Sequence, residues 1–262
     1  MIRKPVKIDL AQYPEALLQY LEKTETYDSS CSPQARVFFI DKDGGYYLKT
    51  APKGTLKREA FMTEFFAKKG LSARVVEYIS ADKDYMLTHR VPGEDCTFRS
   101  FLEQPERLCD IMAERLRWLH GFDTAGCPIN DHTSVYCHTV EANYKNNIFD
   151  PSFLDESLEG MNARQAFEFF SERKGLLKSD TLLHGDYCLP NIMLNEDFSF
   201  SGFIDVGNGG VGDRHVDLFW GAWTLNYNLK TNKYKNRFFD AYGRNLVNDE
   251  IIKLVGVAEC FG

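Results

Sequence analysis

The segment His184-Gly185-Asp186-Tyr187-Cys188-Leu189-Pro190-Asn191 is followed, fourteen positions after its last residue, by Asp205 in Phe203-Ile204-Asp205-Val206-Gly207. Taken singly, the first piece reads as a surface turn and the second as a strand running into a bend. In this order and spacing they offer two carboxylates and an amide. That set suits a hard cation such as magnesium, which prefers oxygen ligands, together with one group that accepts a proton. No thiolate or imidazole cage is needed. A chain that uses these residues together has to present a loop at 184–191 and a short strand that ends at Asp205.

An Asp with an Asn five residues on matches the catalytic loop of kinase-type phosphotransferases. In that loop the Asp takes the proton of the attacking hydroxyl, the Asn holds magnesium, and a second Asp supplies the other metal contact. The transferred phosphoryl group passes through a loose transition state, so alignment and charge neutralisation matter more than covalent help. The resemblance implies an ATP-dependent kinase with Asp186 as base and Asn191 and Asp205 as magnesium ligands.

The rest of the chain allows this. Its 262 residues suffice for one or two domains, and 44% apolar with 26% charged residues is ordinary for a folded globular protein. No stretch approaches the ~20 apolar residues of a membrane span, and nothing apolar follows the basic N-terminus, so neither membrane insertion nor secretion is expected. Seven scattered cysteines, with no Cys-x-x-Cys, indicate neither a disulfide framework nor structural zinc and fit a reducing cytoplasm. A net charge of −7 lacks the basic stripe of a nucleic-acid binder and modestly favours cationic or neutral partners.

Periodicity predicts a short helix over 12–23, strands at 36–40 and 46–50 joined by the turn Asp41-Lys42-Asp43-Gly44-Gly45, a helix over 55–69, and strands at 74–78 and 85–88. This is the order of a kinase-type small lobe. Beyond it, helices are predicted over 105–120, 163–174, 218–225, 234–242 and from 249 onward, with a polar stretch carrying several acids at 129–160. The expectation is an α+β, two-lobed, protein-kinase-like fold. A small N-terminal antiparallel sheet lobe with a helix (1–90, nucleotide binding) would precede a larger, mainly helical lobe (91–262, catalysis and substrate).

Lys49 falls in the second strand of the hairpin, and Glu59 falls near the buried side of the next helix. In kinases a strand lysine neutralises the nucleotide's phosphates and a helix glutamate keeps that flexible ammonium aimed. There is no Gly-x-Gly-x-x-Gly before the hairpin; Ser29 to Gln34 stand in its place, where small polar residues can still turn backbone N–H groups toward a phosphate.

With these residues in hand, the chain resembles the aminoglycoside 3′-phosphotransferase family, almost end to end. Ser32-Pro33-Gln34-Ala35-Arg36-Val37 is similar to the family's nucleotide-positioning loop, Tyr47-Leu48-Lys49 to its lysine strand, Arg58-Glu59 to its helix glutamate, and Leu119-His120 with Cys127-Pro128 to its large-lobe entry. The resemblance implies ATP, or GTP, with Mg2+ as cofactor. Ser32, Lys49 and Glu59 would lie at the nucleotide, and Thr88, His89 and Val91 in a hinge against its base. It also implies a polycationic aminoglycoside held by Glu259, by the carboxylate of Gly262 and by Asp155, Glu156 and Glu159. Two departures concern the substrate: Asn208 stands where the family has Arg, and Ala258-Glu259-Cys260-Phe261-Gly262 lacks one acid and a final aromatic residue.

The leading expectation is a cytoplasmic kinase, monomer or homodimer, that phosphorylates an aminoglycoside hydroxyl, the 3′ position first, and so confers resistance. One alternative is a kinase of the same fold acting on choline, homoserine, a macrolide or a sugar alcohol. Another is a nucleotide-binding regulator without turnover.

Overall fold

Large residues alternate along Arg36–Asp41 and Tyr46–Pro52, so the hairpin they form has two different faces. One carries Phe38, Ile40, Tyr46 and Leu48; the other carries Val37, Phe39, Tyr47, Lys49 and Ala51. The computed structural model describes residues 3–31 and 35–262. In it the strands Lys4–Pro5 (β1), Glu25–Asp28 (β2), Arg36–Asp41 (β3), Tyr46–Pro52 (β4), Val75–Ser80 (β5) and Lys83–His89 (β6) make an antiparallel sheet of order β1-β2-β3-β4-β6-β5. The first face packs on helix Glu15–Leu21 (α1) through Leu17 and Leu21, joined by Tyr85 and Leu87. On the other face, Ala51 and Met86 pack against Leu56 and Ala60 at the start of helix Lys57–Lys68 (α2).

The chain divides into two compact units, the first Met1–Cys96 with Pro190–Asn208, the second Thr97–Leu189 with Gly209–Gly262. Segment 190–208 joins the first unit by strand pairing. Ile192–Leu194 lies between Glu94–Asp95 and Phe200–Phe203, and the Phe203 N–H donates to Leu71 O at 2.7 Å. Gly93 makes the pairing possible: its φ is +85°, and a Cβ there would stand 2.2 Å from Leu194 O.

The second unit is mainly helical: Arg99–Leu102 (α3), Pro105–Leu119 (α4), His132–Lys145 (α5), Ala163–Arg173 (α6), His215–Leu229 (α7), Tyr234–Gly243 (α8) and Asp249–Glu259 (α9). The buried stripe of α4, Leu108, Cys109, Met112, Leu116 and Leu119, packs toward α7 and α8. A capping box of Asn162 and Gln165 starts α6. One unit built on a sheet and one built of helices make the α+β class that the sequence implied.

Among the elements that differ from the periodicity reading, three show why. The polar stretch 129–160 contains α5, whose apolar contribution is sparse: Val140 is buried, with Tyr136, Cys137 and Tyr144 partly so. Strand β2, Glu-Thr-Tyr-Asp, is too polar to read as a strand and is held by pairing with β3. Helix α7 extends beyond 218–225 at both ends; the Asp213 carboxylate accepts the His215 N–H at 2.9 Å near its start.

Candidate active site

In the first unit, register fixes the arrangement. Lys49 of β4 stands opposite Val37 on one side and Met86 on the other, while Tyr47, two residues back, stands opposite Thr88. These side chains share the α2 face and line a cavity of about 160 Å3 together with Ala35, Thr63, Val91, Met193, Ile204 and Asp205. Thr88, His89 and Val91 all border it. The His89 amide is already committed to Arg74 O at 3.1 Å, so a base bound here would have to use other hinge groups. Ser32 lies outside the described residues. Upstream of it the chain is tied to β3: the Ser29 N–H donates to Val37 O, and the Val37 N–H to Ser30 Oγ.

Lys49 Nζ sits 2.8 Å from both oxygens of Glu59 and 3.0 Å from Asp205 Oδ1. Burial pushes the lysine pKa down, but the charges of Asp205 and Glu59 outweigh it and hold the ammonium above its ordinary range. Glu59 is pushed up by burial and by Asp205 against the pull of Lys49. One cation thus serves two carboxylates. Of the two, Asp205, whose side chain is 52% exposed, is the more open to a further partner.

That exposed carboxylate fits a hard divalent cation, and the amide oxygen of the buried Asn191 is a donor of the same class. The two residues belong to one unit and are linked through the backbone, the Ile204 N–H donating to Asn191 O at 3.0 Å. Asp205 has φ +55°, a conformation Asp tolerates better than most residues. Two residues on, a Cβ on Gly207 would lie 3.0 Å from Glu59 Cβ, so the bend after Asp205 presses on α2. The neutral Asn208 offers its carbonyl to Arg58 at 3.4 Å.

In the second unit, strand Thr181–Leu183 leads into the loop of Asp186. Asp217 of α7, wholly buried, organises that loop. Its two oxygens accept the N–H groups of His184 and Gly185, each at 2.8 Å, and Oδ2 also meets His120 Nε2 at 3.1 Å. Burial alone would raise the Asp217 pKa; the hydrogen bond from His120, with the backbone N–H of His184, holds it below the usual range. Burial in turn lowers His120. The neutral imidazole donates through Nε2 and accepts the Tyr242 hydroxyl at Nδ1, 2.8 Å away. Tyr187 OH donates to Met112 O, and the Leu189 N–H to Thr224 Oγ1, fixing the loop to α4 and α7. Asp186 itself is partly exposed.

Glu259 is not a surface charge. It is 7% exposed, and the Tyr136 hydroxyl donates to it at 2.8 Å. Burial raises its pKa to about 7 against the hydrogen bonds of Tyr136 and Trp220, and the charge of Asp186 adds to the rise. Gly262 is exposed, with Asn143 Nδ2 near its oxygen at 3.3 Å. The acids 155–159 are arranged differently. The Asp155 carboxylate accepts from the Ser157 N–H and hydroxyl and pairs with Lys235 at 3.7 Å. Asp155 and Glu156 border a cleft of about 860 Å3 that also holds Lys235, Arg244 and Lys253, and Glu159 is exposed.

Several contributors escaped the sequence reading. Tyr47 was recoverable, since it shares a strand face with Lys49. Asp217 had only a weak signal, a single acid in an apolar helix. Met193, Tyr136 and Trp220 gave none, because only nonlocal packing brings them to these places.

Residues 25–250 match the APH phosphotransferase enzyme family. Over 260 residues the chain is 47% identical to a probable aminoglycoside 3'-phosphotransferase of Lactococcus lactis, covering 99% of this chain and 98% of that one. Among solved structures it is similar to an aminoglycoside-3'-phosphotransferase of type VIII, with TM-score 0.78, 24% identity and coverage of 94% and 97%. It is also similar to the aminoglycoside phosphotransferase APH(3'')-Id of Streptomyces rimosus in complex with ADP and streptomycin, with TM-score 0.71, 20% identity and coverage of 97% and 99%.

Proposed function

The chain belongs to the APH phosphotransferase enzyme family, and from that membership we propose that it moves the γ-phosphoryl group of ATP to a hydroxyl of an aminoglycoside, at the 3′ position. The end-to-end likeness to a probable aminoglycoside 3'-phosphotransferase carries this reading. Each unit supplies residues suited to one half of the reaction.

In the first unit the cavity takes the nucleotide, with the base near Thr88, His89 and Val91 and the phosphates toward Lys49. Glu59 keeps the ammonium aimed when the phosphates draw it from Asp205. Asn191 and Asp205 would hold magnesium. When bound, that ion neutralises charge on the phosphates. In the second unit Asp186 accepts the proton of the acceptor hydroxyl. The hydroxyl oxygen bonds to the γ-phosphorus, the bond from that phosphorus to the bridging oxygen breaks, and ADP leaves with the electron pair. Asp217 keeps the base in place by pinning the two amides before it. Glu259, beside Gly262, pairs with an ammonium of the acceptor.

A supply of ATP and seven free thiols support a cytoplasmic setting. Among the described residues, no helix is long and apolar enough to cross a membrane.

An ADP-release assay with kanamycin, neomycin and a 3′-deoxy aminoglycoside tests the proposal. Turnover with the first two alone supports it. Equal turnover with the deoxy compound refutes the position of transfer, and silence on all three refutes the acceptor class.

A further inference from the structure

All seven cysteines lie among the described residues as free thiols, and of these Cys31 alone is exposed. Burial pushes the thiols of Cys96, Cys109, Cys137, Cys188 and Cys260 up, away from the reactive thiolate form. The half-buried Cys127 is engaged, its Sγ donating to Ile129 O at 3.2 Å. Thiol chemistry on the folded protein therefore has one open place, and that place is on the wall of the cavity that holds Lys49.

A neighbour gives this thiol its meaning. Ser29 continues the register of β2 on β3, in which Asp28 stands opposite Phe38, and its N–H donates to Val37 O at 2.8 Å. Across the sheet it falls in one row with Val37, Lys49 and Met86, on the face that lines the cavity. Ser29 is 4% exposed, and among the described residues its Oγ has no hydrogen-bond partner. A hydroxyl brings one donor and two lone pairs, and burying it unpaired is costly. On a cavity wall it is suited to a polar group of a molecule bound there. The Cys31 thiol meets the carbonyl of this same residue, Sγ to Ser29 O being 3.6 Å. A ligand that satisfies the hydroxyl and an adduct on the thiol thus compete for one stretch of wall.

We propose that Cys31 is a modification site for low-molecular-weight disulfides, and that its mixed disulfide and a bound nucleotide exclude each other. In the exchange the Cys31 thiol releases its proton to solvent and its thiolate attacks one sulfur of the disulfide. A new S–S bond forms at Cys31, the reagent's own S–S bond breaks, and the second half leaves as a thiolate with the electron pair. Excess thiol runs the same step in reverse. A disulfide in the surroundings thus closes the cavity to nucleotide, and a thiol reopens it. The inference rests on the reading of this cavity as the nucleotide site and adds a control to it.

Exchange with 5,5′-dithiobis(2-nitrobenzoate) releases one coloured thiolate per reacting thiol. On the folded protein a single thiol should exchange fast, and Cys31→Ser should lose that phase. ATP with magnesium, at about 100 times its Kd, should slow the phase roughly 100-fold. By calorimetry the exchanged protein should no longer bind ATP, dithiothreitol should restore binding, and Cys31→Ser should bind ATP equally before and after treatment. Ser29→Ala should keep the fast phase without ATP and need several-fold more ATP for protection. A fast phase that survives Cys31→Ser, ATP binding that is unchanged by exchange, or protection unmoved in Ser29→Ala overturns the proposal and leaves the transfer reading intact. An untreated protein that binds no ATP overturns both. Loss of ATP binding on exchange, with silence on every aminoglycoside, supports the proposal and overturns only the acceptor reading.

Discussion

Glu259 lets a functional claim be tested through stability. Its carboxyl has a pKa raised to about 7 from the model-peptide value 4.5, chiefly by burial. Below pH 4.5 both folded and unfolded chains carry its proton, and the group contributes no pH dependence. Between 4.5 and about 7 the folded protein keeps a proton that the unfolded chain has released, so stability falls as pH rises. Above that window the loss is complete and constant. With 1.36 kcal/mol per unit, a rise from 4.5 to about 7 corresponds to about 3 kcal/mol. Glu259→Gln keeps an oxygen for Tyr136 and Trp220 and does not titrate. The difference in Tm between Glu259→Gln and wild type should therefore grow in favour of the variant by roughly 5–10 °C from acid to mildly alkaline pH. Paired thermal melts in matched buffers read this directly, and groups common to both proteins cancel. A difference that stays flat with pH, or that turns against the variant as pH rises, would refute the argument. The companion expectation is that the kanamycin KM falls as pH rises through about 7, because only the carboxylate pairs with an ammonium, and that Glu259→Gln loses this dependence.

Asp186→Asn should lower kcat by about 10²–10⁴ with nucleotide affinity retained, as shown by single-turnover kinetics beside calorimetric ATP binding. Asp217→Asn turns an amide NH2 toward one of the two loop N–H donors and should destabilise the second unit by about 3 kcal/mol in urea titration. Gly207→Ala forces a Cβ to 3.0 Å from Glu59 Cβ and should weaken ATP binding several-fold; calorimetry showing unchanged affinity would mean that α2 yields freely. Glu59→Gln takes from Lys49 its less exposed carboxylate partner and should likewise weaken ATP binding.

The sequence made some of this visible and hid the rest for physical reasons. Asp186, Asn191 and Asp205 stand out because two carboxylates and an amide fall at the spacing of a kinase-type loop, and Lys49 and Glu59 stand out only in company with that motif; the structure brings Lys49, Glu59 and Asp205 together. The hairpin was legible from its glycine turn and from alternation, which is local information. Helix α5 was not, because a helix that buries little apolar surface has little periodicity to detect. The place of 190–208 in the first unit depends on Gly93 meeting Leu194, 101 positions further along the chain, and no local pattern encodes that. The acids at 155–159 looked alike in sequence. Only the structure separates Asp155, turned to its own backbone and to Lys235, from the exposed Glu159.

The return of 190–208 to the first unit bears on how the protein can be made. Synthesis runs from the N-terminus, and early segments are free to collapse as they emerge. A nascent chain that has reached residue 96 already contains every strand segment of the six-stranded sheet and the segment of α2, Lys49 and Glu59 among them. It lacks the strands that pair beside Gly93 and the second carboxylate on Lys49, and its cavity lacks the wall of Met193, Ile204 and Asp205. The sheet can form early, but the cavity beside Lys49 is finished only after residue 205 is released. No fragment cut at the end of the first contiguous stretch can contain it.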